Sequence, residues 1–183
     1  MRNLSRQSQN GITLIEVIVV VAIVGILISI AAPSFVTTTQ KFRILEKASS
    51  FVGALQFARA EAIKEGAPVT ICASSDGATC LNVNTWQKGW IIFSDPLANK
   101  TVGTILKKQK SWTSTDTMLA DNSVSSVTFS RDGFAIALPV TAGTGMVTFT
   151  LHSTPINTNA TRCISLNKIG RQETQIAGTG ACT

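Results

Sequence analysis

The sequence predicts an α+β protein, a long N-terminal α-helix whose first half is of membrane-spanning length, packed on an antiparallel β-sheet domain. Three observations predict it. A nearly unbroken apolar run from Gly11 to Ala32 follows a polar, basic leader. Apolar or small residues then recur at spacings of three and four as far as Ile63. From Pro68 onward the chain turns to Thr, Val, Ser and Gly in short alternating runs, the pattern of half-buried strands.

The apolar run comes first. At about 1.5 Å per residue, the roughly 21 residues from Ile12 to Ala32 cover about 31 Å, close to the hydrocarbon thickness of a bilayer. Glu16 is the single acid in it. A carboxylate there costs on the order of 2.5–3.5 kcal/mol at a helix centre and less near an end, so a compensating partner is expected. Arg2 and Arg6 before the run are matched by Lys41, Arg43 and Lys47 after it, and charge therefore leaves its orientation open. Pro33, Ser34 and Phe35 make a mediocre small-residue site for cleavage after the run, which argues against a plain secretory signal peptide.

The second part of the helix should be amphipathic. Phe42, Leu45, Ala48, Val52, Leu55, Ala58 and Ala62 trace one apolar face, and Lys41, Glu46, Gln56, Arg59 and Lys64 the polar one. Gly66 and Pro68 end it. Gly25 and Pro33 inside the helix are points for a kink or local melting, and Gly25 serves close helix packing equally well.

Strands are expected at Val69–Ala73, Gly89–Phe93, Thr104–Gln109, Val124–Ser130, Phe134–Leu138, Met146–His152 and Cys163–Leu166. Alternation assigns Val127 and Phe129, then Phe134, Ile136 and Leu138, then Val147, Phe149 and Leu151 to the core beneath the helix. Asp132 and Gly133 supply the turn chemistry of a tight hairpin. Trp90 and Phe93 read as core and sheet-edge residues rather than ligand contacts.

Composition limits the function. Some 140 residues beyond the apolar run suffice for one core. The formal charge of +6 falls to +4 without Arg2 and Arg6, a thin basic excess that argues little for nucleic acid. The four cysteines, Cys72, Cys80, Cys163 and Cys182, suit an oxidising compartment. They allow three pairings, and proximity in sequence favours Cys72 with Cys80 and Cys163 with Cys182. Neither spacing resembles the short Cys-x-x-Cys of zinc sites, so no metal is expected. His152, the only histidine, has no triad context and reads as a satisfied or solvent-facing strand residue. Asp95, Asp116, Asp121 and Asp132 lie among turn formers, where capping accounts for them. No phosphate-cradling glycine motif occurs. No catalytic residue and no cofactor follow from the sequence.

Gly11, followed by Ile12, Thr13, Leu14, Ile15 and Glu16, resembles the processing site of type IV pilins and type II secretion pseudopilins. The resemblance implies that a prepilin peptidase cuts after Gly11 and that the new amino terminus, Ile12 where the family usually has Phe, is N-methylated. It also implies that Glu16, the fifth mature residue, pairs with the amino terminus of a neighbouring subunit, which would offset its desolvation. Further segments narrow the resemblance to the GspH/FimT branch of minor pilins and pseudopilins: Leu55–Ala62, the run Gly89, Trp90, Ile91, Ile92, Phe93, the hairpin Phe129–Gly133, and Ile169, Gly170, Arg171.

A member of that branch has the pilin fold. Residues 1–11 would be the leader, 12–35 the transmembrane and filament-core helix, 36–66 its amphipathic continuation and 67–183 a periplasmic β domain. It would be a single-pass protein of the inner membrane, assembling with other pilins or pseudopilins, with the second cysteine pair fastening the tail as terminal disulfides do in many pilins. FimT-like members can act in DNA uptake through basic residues late in the chain. Lys168 and Arg171 are the candidates here, but Glu173 stands where the DNA-binding pattern has a second arginine, and an acid there repels phosphate. Nucleic acid is therefore the less favoured partner. Lys107, Lys108, Lys110 and Arg131 read more simply as a solvated basic edge that blocks sheet-to-sheet association.

Overall fold

In the computed structural model, residues 12–142, 145–180 and 182 are described, 30–33 by backbone alone. The leader and its final residue, Gly11, lie outside the described residues. The chain divides into two compact units between Thr38 and Thr39. The helix α1, Leu14–Glu65, contributes to both.

In the first unit α1 follows directly on Thr13, whose carbonyl accepts from the Glu16 and Val17 N–H groups. The helix is unmelted at Gly25, around which space is open. Among the described residues no single helix is long and apolar enough to cross a membrane; the segments Leu14–Ser29 and Ser34–Glu65 meet that test only as a pair, on length and composition.

In the second unit, α1 ends at Glu65 and Gly66 follows with φ +64°, a left-handed stop that glycine adopts without strain. Two antiparallel sheets pack with it. One has the order β3 (Ile105–Gln109), β2 (Trp90–Ser94), β1 (Val69–Ala73), β5 (Ser126–Phe129), β6 (Ala135–Ile136). The other runs β4 (Thr117–Ala120), β7 (Met146–His152), β8 (Arg162–Asn167), β9 (Gln172–Ile176). The expected sheet domain is thus two sheets, with β4 and β9 not anticipated. Both carry mostly polar or small side chains, Thr117, Met118, Leu119, Ala120 and Gln172 through Ile176, which show no clean apolar alternation.

Pleating sorts each strand. Val69, Ile71 and Ala73 of β1, Trp90 and Ile92 of β2, Val127 and Phe129 of β5, Val147, Phe149 and Leu151 of β7, and Ile164 and Leu166 of β8 all enter the main core. The alternate residues Cys72, Ile91 and Phe93 form a smaller cluster on the other face of the first sheet. Trp90 and Phe93 are both buried, on opposite faces because they stand an odd number of residues apart.

Of the expected helix face, Ala48, Leu55, Ala58 and Ala62 are buried and Val52 packs against the core, but Phe42 and Leu45 are replaced there by Ile44 and Phe51. Ile44, Ala48, Phe51, Leu55, Ala58 and Ala62 are buried, whereas Phe42 is 68% exposed and Leu45 is exposed too. The buried set keeps the three-and-four spacing, and Phe51 selects it: its ring packs against Trp86, Trp90 and Phe149 with centroids 5.2, 5.2 and 4.9 Å away. Trp86 sits in a 3-10 turn, Trp86–Lys88, and donates its indole N–H to the Val124 carbonyl at 2.8 Å.

The expected strand Phe134–Leu138 also needs correction. Only Ala135 and Ile136 pair, Phe134 is 48% exposed and Ile136 is half-buried, while Ala135 and Leu138 are buried. Ala137 has φ +51°, which ends the alternation that the apolar pattern suggested. The preceding hairpin turn is as expected: Gly133 has φ +80° and donates to the Ser130 carbonyl at 2.8 Å.

Candidate functional site

The sequence directs attention first to the start of α1. Its described residues from Ile12 to Ser29 are exposed on every side, and all but a few are apolar. A helix that is greasy all round needs an apolar environment outside itself. Glu16 is in the first turn, where its charge meets the positive end of the helix dipole, and its N–H also faces the Thr13 hydroxyl at 3.4 Å. Ile12 and Glu16 border a common groove with Val17, Val20 and Val21. Two of the three residues singled out for processing and assembly are therefore neighbours on one helix end.

In the second unit, the helix is fixed to the sheets by two arginines. Asp116, which the sequence suggested was a capping residue, is instead a buried ion-pair partner. Its carboxylate accepts from Arg43 at 2.7 and 2.8 Å, Lys47 at 2.5 Å, Ser114 at 2.8 Å and the Thr154 N–H at 3.0 Å. Lys47 also contacts the Ser114 hydroxyl and lies over the Trp112 ring. Burial pushes the Asp116 carboxyl up, but hydrogen bonds from Arg43, Lys47, Thr154 and Ser114 outweigh it and hold the group well below the usual carboxylate range. Asp95 and Asp121 do cap: Asp95 accepts from the Asn99 and Lys100 N–H groups and from Thr70, and Asp121 from Thr141 and the Thr148 N–H.

Arg59 makes the second attachment. Its guanidinium donates to the carbonyls of Gly170 at 3.1 Å and Ile169 at 3.3 Å. A Cβ at Gly133 would stand 2.9 Å from Arg59 Nε, and one at Gly170 would stand 2.5 Å from the Gly133 carbonyl oxygen. Three segments that were separate in sequence, Leu55–Ala62, Phe129–Gly133 and Ile169–Arg171, thus meet at one point, and the glycines leave room for the arginine between them. Sequence reasoning placed Arg59 on the solvent face. Nothing local to the helix indicates that its fork reaches a turn more than a hundred residues away.

The late basic residues follow from this arrangement. Lys168 and Arg171 stand in the turn between β8 and β9, with Arg171 exposed and its N–H on the Asn167 side-chain oxygen at 2.9 Å. Glu173 is exposed on β9. Lys107 and Lys108 lie on β3, the edge strand of the other sheet, so the lysines of β3 and the β8–β9 turn belong to different sheets.

Both favoured cysteine pairs are bonded. Cys72–Cys80 closes a short loop with Cα atoms 5.6 Å apart, and Cys163–Cys182 ties the tail to β8 with Cα atoms 5.4 Å apart. Within the first loop, hydrogen bonds from the Thr79 hydroxyl, the Thr79 and Ala78 N–H groups and Ser74 hold the Asp76 carboxyl well below its usual range. His152 is half-buried and pairs with the Thr161 hydroxyl at 3.2 Å. Among the described residues no group of three or more His, Cys, Asp or Glu side chains could hold a metal ion.

Comparison with known proteins adds the relationships. A family model described as "Type II transport protein GspH" matches residues 47–170, and one for the prokaryotic N-terminal methylation motif matches residues 6–32. Two fimbrial proteins of Pseudomonas aeruginosa are each 41% identical over 68 residues, 37% of this chain and 44% of theirs. The aligned part is thus less than half the length of these relatives. Two crystal structures of the Pseudomonas aeruginosa type IV minor pilin FimU share the fold. One aligns with TM-score 0.58 at 23% identity over 75% of this chain and 91% of that one, the other with TM-score 0.54 at 24% identity over 72% and 91%.

Proposed function

The chain belongs to the GspH family of type II transport proteins, and we propose that it is a minor pilin or pseudopilin that joins the tip of a type IV pilus or secretion pseudopilus. Families of this kind are structural subunits rather than enzymes. In the proposed cycle the chain waits in the inner membrane with its β domain in the periplasm. A prepilin peptidase cuts after Gly11 and Ile12 is N-methylated. The freed helix then exchanges lipid for the helices of other subunits.

The observation that carries this reading is the apolar helix start with one acid in its first turn. Exposed apolar side chains all round suit either lipid or a bundle of like helices, and the exchange between them is nearly neutral in hydrophobic free energy. Register is then set by close packing together with a polar contact. Glu16 supplies it by pairing with the amino terminus of the adjacent subunit, an ion pair strengthened in the low-dielectric filament core.

Glu16→Ala tests the role. The variant should keep both disulfides and its β domain yet be missing from sheared filaments, and recovery at the wild-type level would refute it. Mass spectrometry of the mature protein should find N-methylated Ile12 at the amino terminus. A start at Met1, or loss of the whole apolar segment, would overturn the processing scheme.

A further inference from the structure

Beside the Arg59 attachment lies a cleft of about 360 Å³ lined by Gln56, Arg59, Ala60, Ile63, Gly170, Arg171 and Gln172. Arg59 and Arg171 both line it, and among the described residues no carboxylate lies within ion-pairing distance of either. Arg59 spends two of its N–H groups on neutral carbonyls, so its charge is not neutralised. The Gln172 amide at the same cleft has neither of its polar atoms paired with protein, although both are shielded from bulk solvent. Ile63 is exposed on the rim. Glu61 and Glu173, each next in sequence to a lining residue, are not among the lining residues, and Glu61 pairs with Lys64.

We propose that this cleft is a docking site for an acidic residue, flanked by an apolar one, on a neighbouring filament subunit. Charge complementarity identifies the occupant. A carboxylate seated in the cleft accepts from the Arg59 and Arg171 side chains. Its apolar neighbour covers Ile63. Charge-assisted bonds of this kind are short and about twice as strong as neutral ones. Arg59 has a double part: it anchors the β8–β9 turn and presents its remaining charge to the partner. Glu173 on the adjoining strand opposes a polyanion.

That the partner is a filament subunit rests on the assembly reading above; the chemistry of the cleft does not. The test therefore uses the purified full chain in detergent micelles and a fluorescein-labelled heptapeptide, Gly-Ala-Ile-Asp-Ile-Ala-Gly, followed by fluorescence anisotropy. The Asp peptide should bind at least about tenfold more tightly than its Asn counterpart, the loss of one charge-assisted pair. R171K should preserve this preference and R171E should abolish it, with unchanged melting showing that the exposed substitution leaves the fold intact. Equal affinity for the Asp and Asn peptides, or binding indifferent to R171E, would overturn the proposal. So would tighter binding of a 20-base-pair DNA duplex that R171E removes, which would assign the cleft to phosphate. None of these outcomes depends on incorporation into filaments.

Discussion

Replacing Asp116 by Asn removes a charge without removing volume. The wild-type carboxylate is fully buried and takes hydrogen bonds from Arg43, Lys47, Ser114 and the Thr154 N–H. In the variant an amide N–H₂ faces donors, and two cations lose their counter-ion. Breaking a buried pair from one side costs about 3–5 kcal/mol. Arg43 keeps 34% of its side chain exposed and Lys47 15%, so both partly rehydrate, which favours the lower end, about 3 kcal/mol. For a unit of this size that corresponds to a fall in Tm of about 6–12 °C.

Circular dichroism melts of the full chain in detergent would measure the loss, and pH would identify its origin. A carboxyl held below its unfolded pKa of about 3.9 contributes stability that is full above that value and is lost as pH falls through the folded pKa. The gap between wild type and Asp116→Asn should therefore be widest at neutral pH and narrow from about pH 5 downward. Wild-type acid sensitivity will not vanish wholly in the variant, because Asp76 is shifted the same way. A variant that melts within about 2 °C of wild type at neutral pH, less than 1 kcal/mol, with an unaltered acid profile, would refute the account of this ion pair.

Two further perturbations follow from the same structure. Gly170→Ala places a Cβ at φ +77° and 2.5 Å from the Gly133 carbonyl oxygen; the left-handed backbone alone costs about 1–2 kcal/mol, and urea denaturation should register at least that loss, with Gly66→Ala, which meets open space, as the milder control. Replacing Cys163 and Cys182 together by Ser should lower stability by about 3 kcal/mol through the longer freedom of the unfolded tail; an unchanged urea midpoint would show that the bond does not hold the tail to β8.

The elements legible in the sequence are those set by neighbours in the chain. The apolar run with Glu16, the end of α1 at Gly66, the Asp132–Gly133 turn and the strands β1 and β7 depend on spacing, turn chemistry and alternation over a few residues, and one sequence carries all of that. The helix face was legible at Ala48, Leu55, Ala58 and Ala62, but not in whether Phe42 and Leu45 or Ile44 and Phe51 complete it. Trp86 and Phe149 decide it, and both lie outside the helix. The division into two sheets, the pairing of Asp116 with Arg43 across 73 residues and the reach of Arg59 to Gly170 across 111 belong to the tertiary structure alone. Burial and ion pairing are properties of the space between elements, and local periodicity holds no record of which distant residue will occupy it.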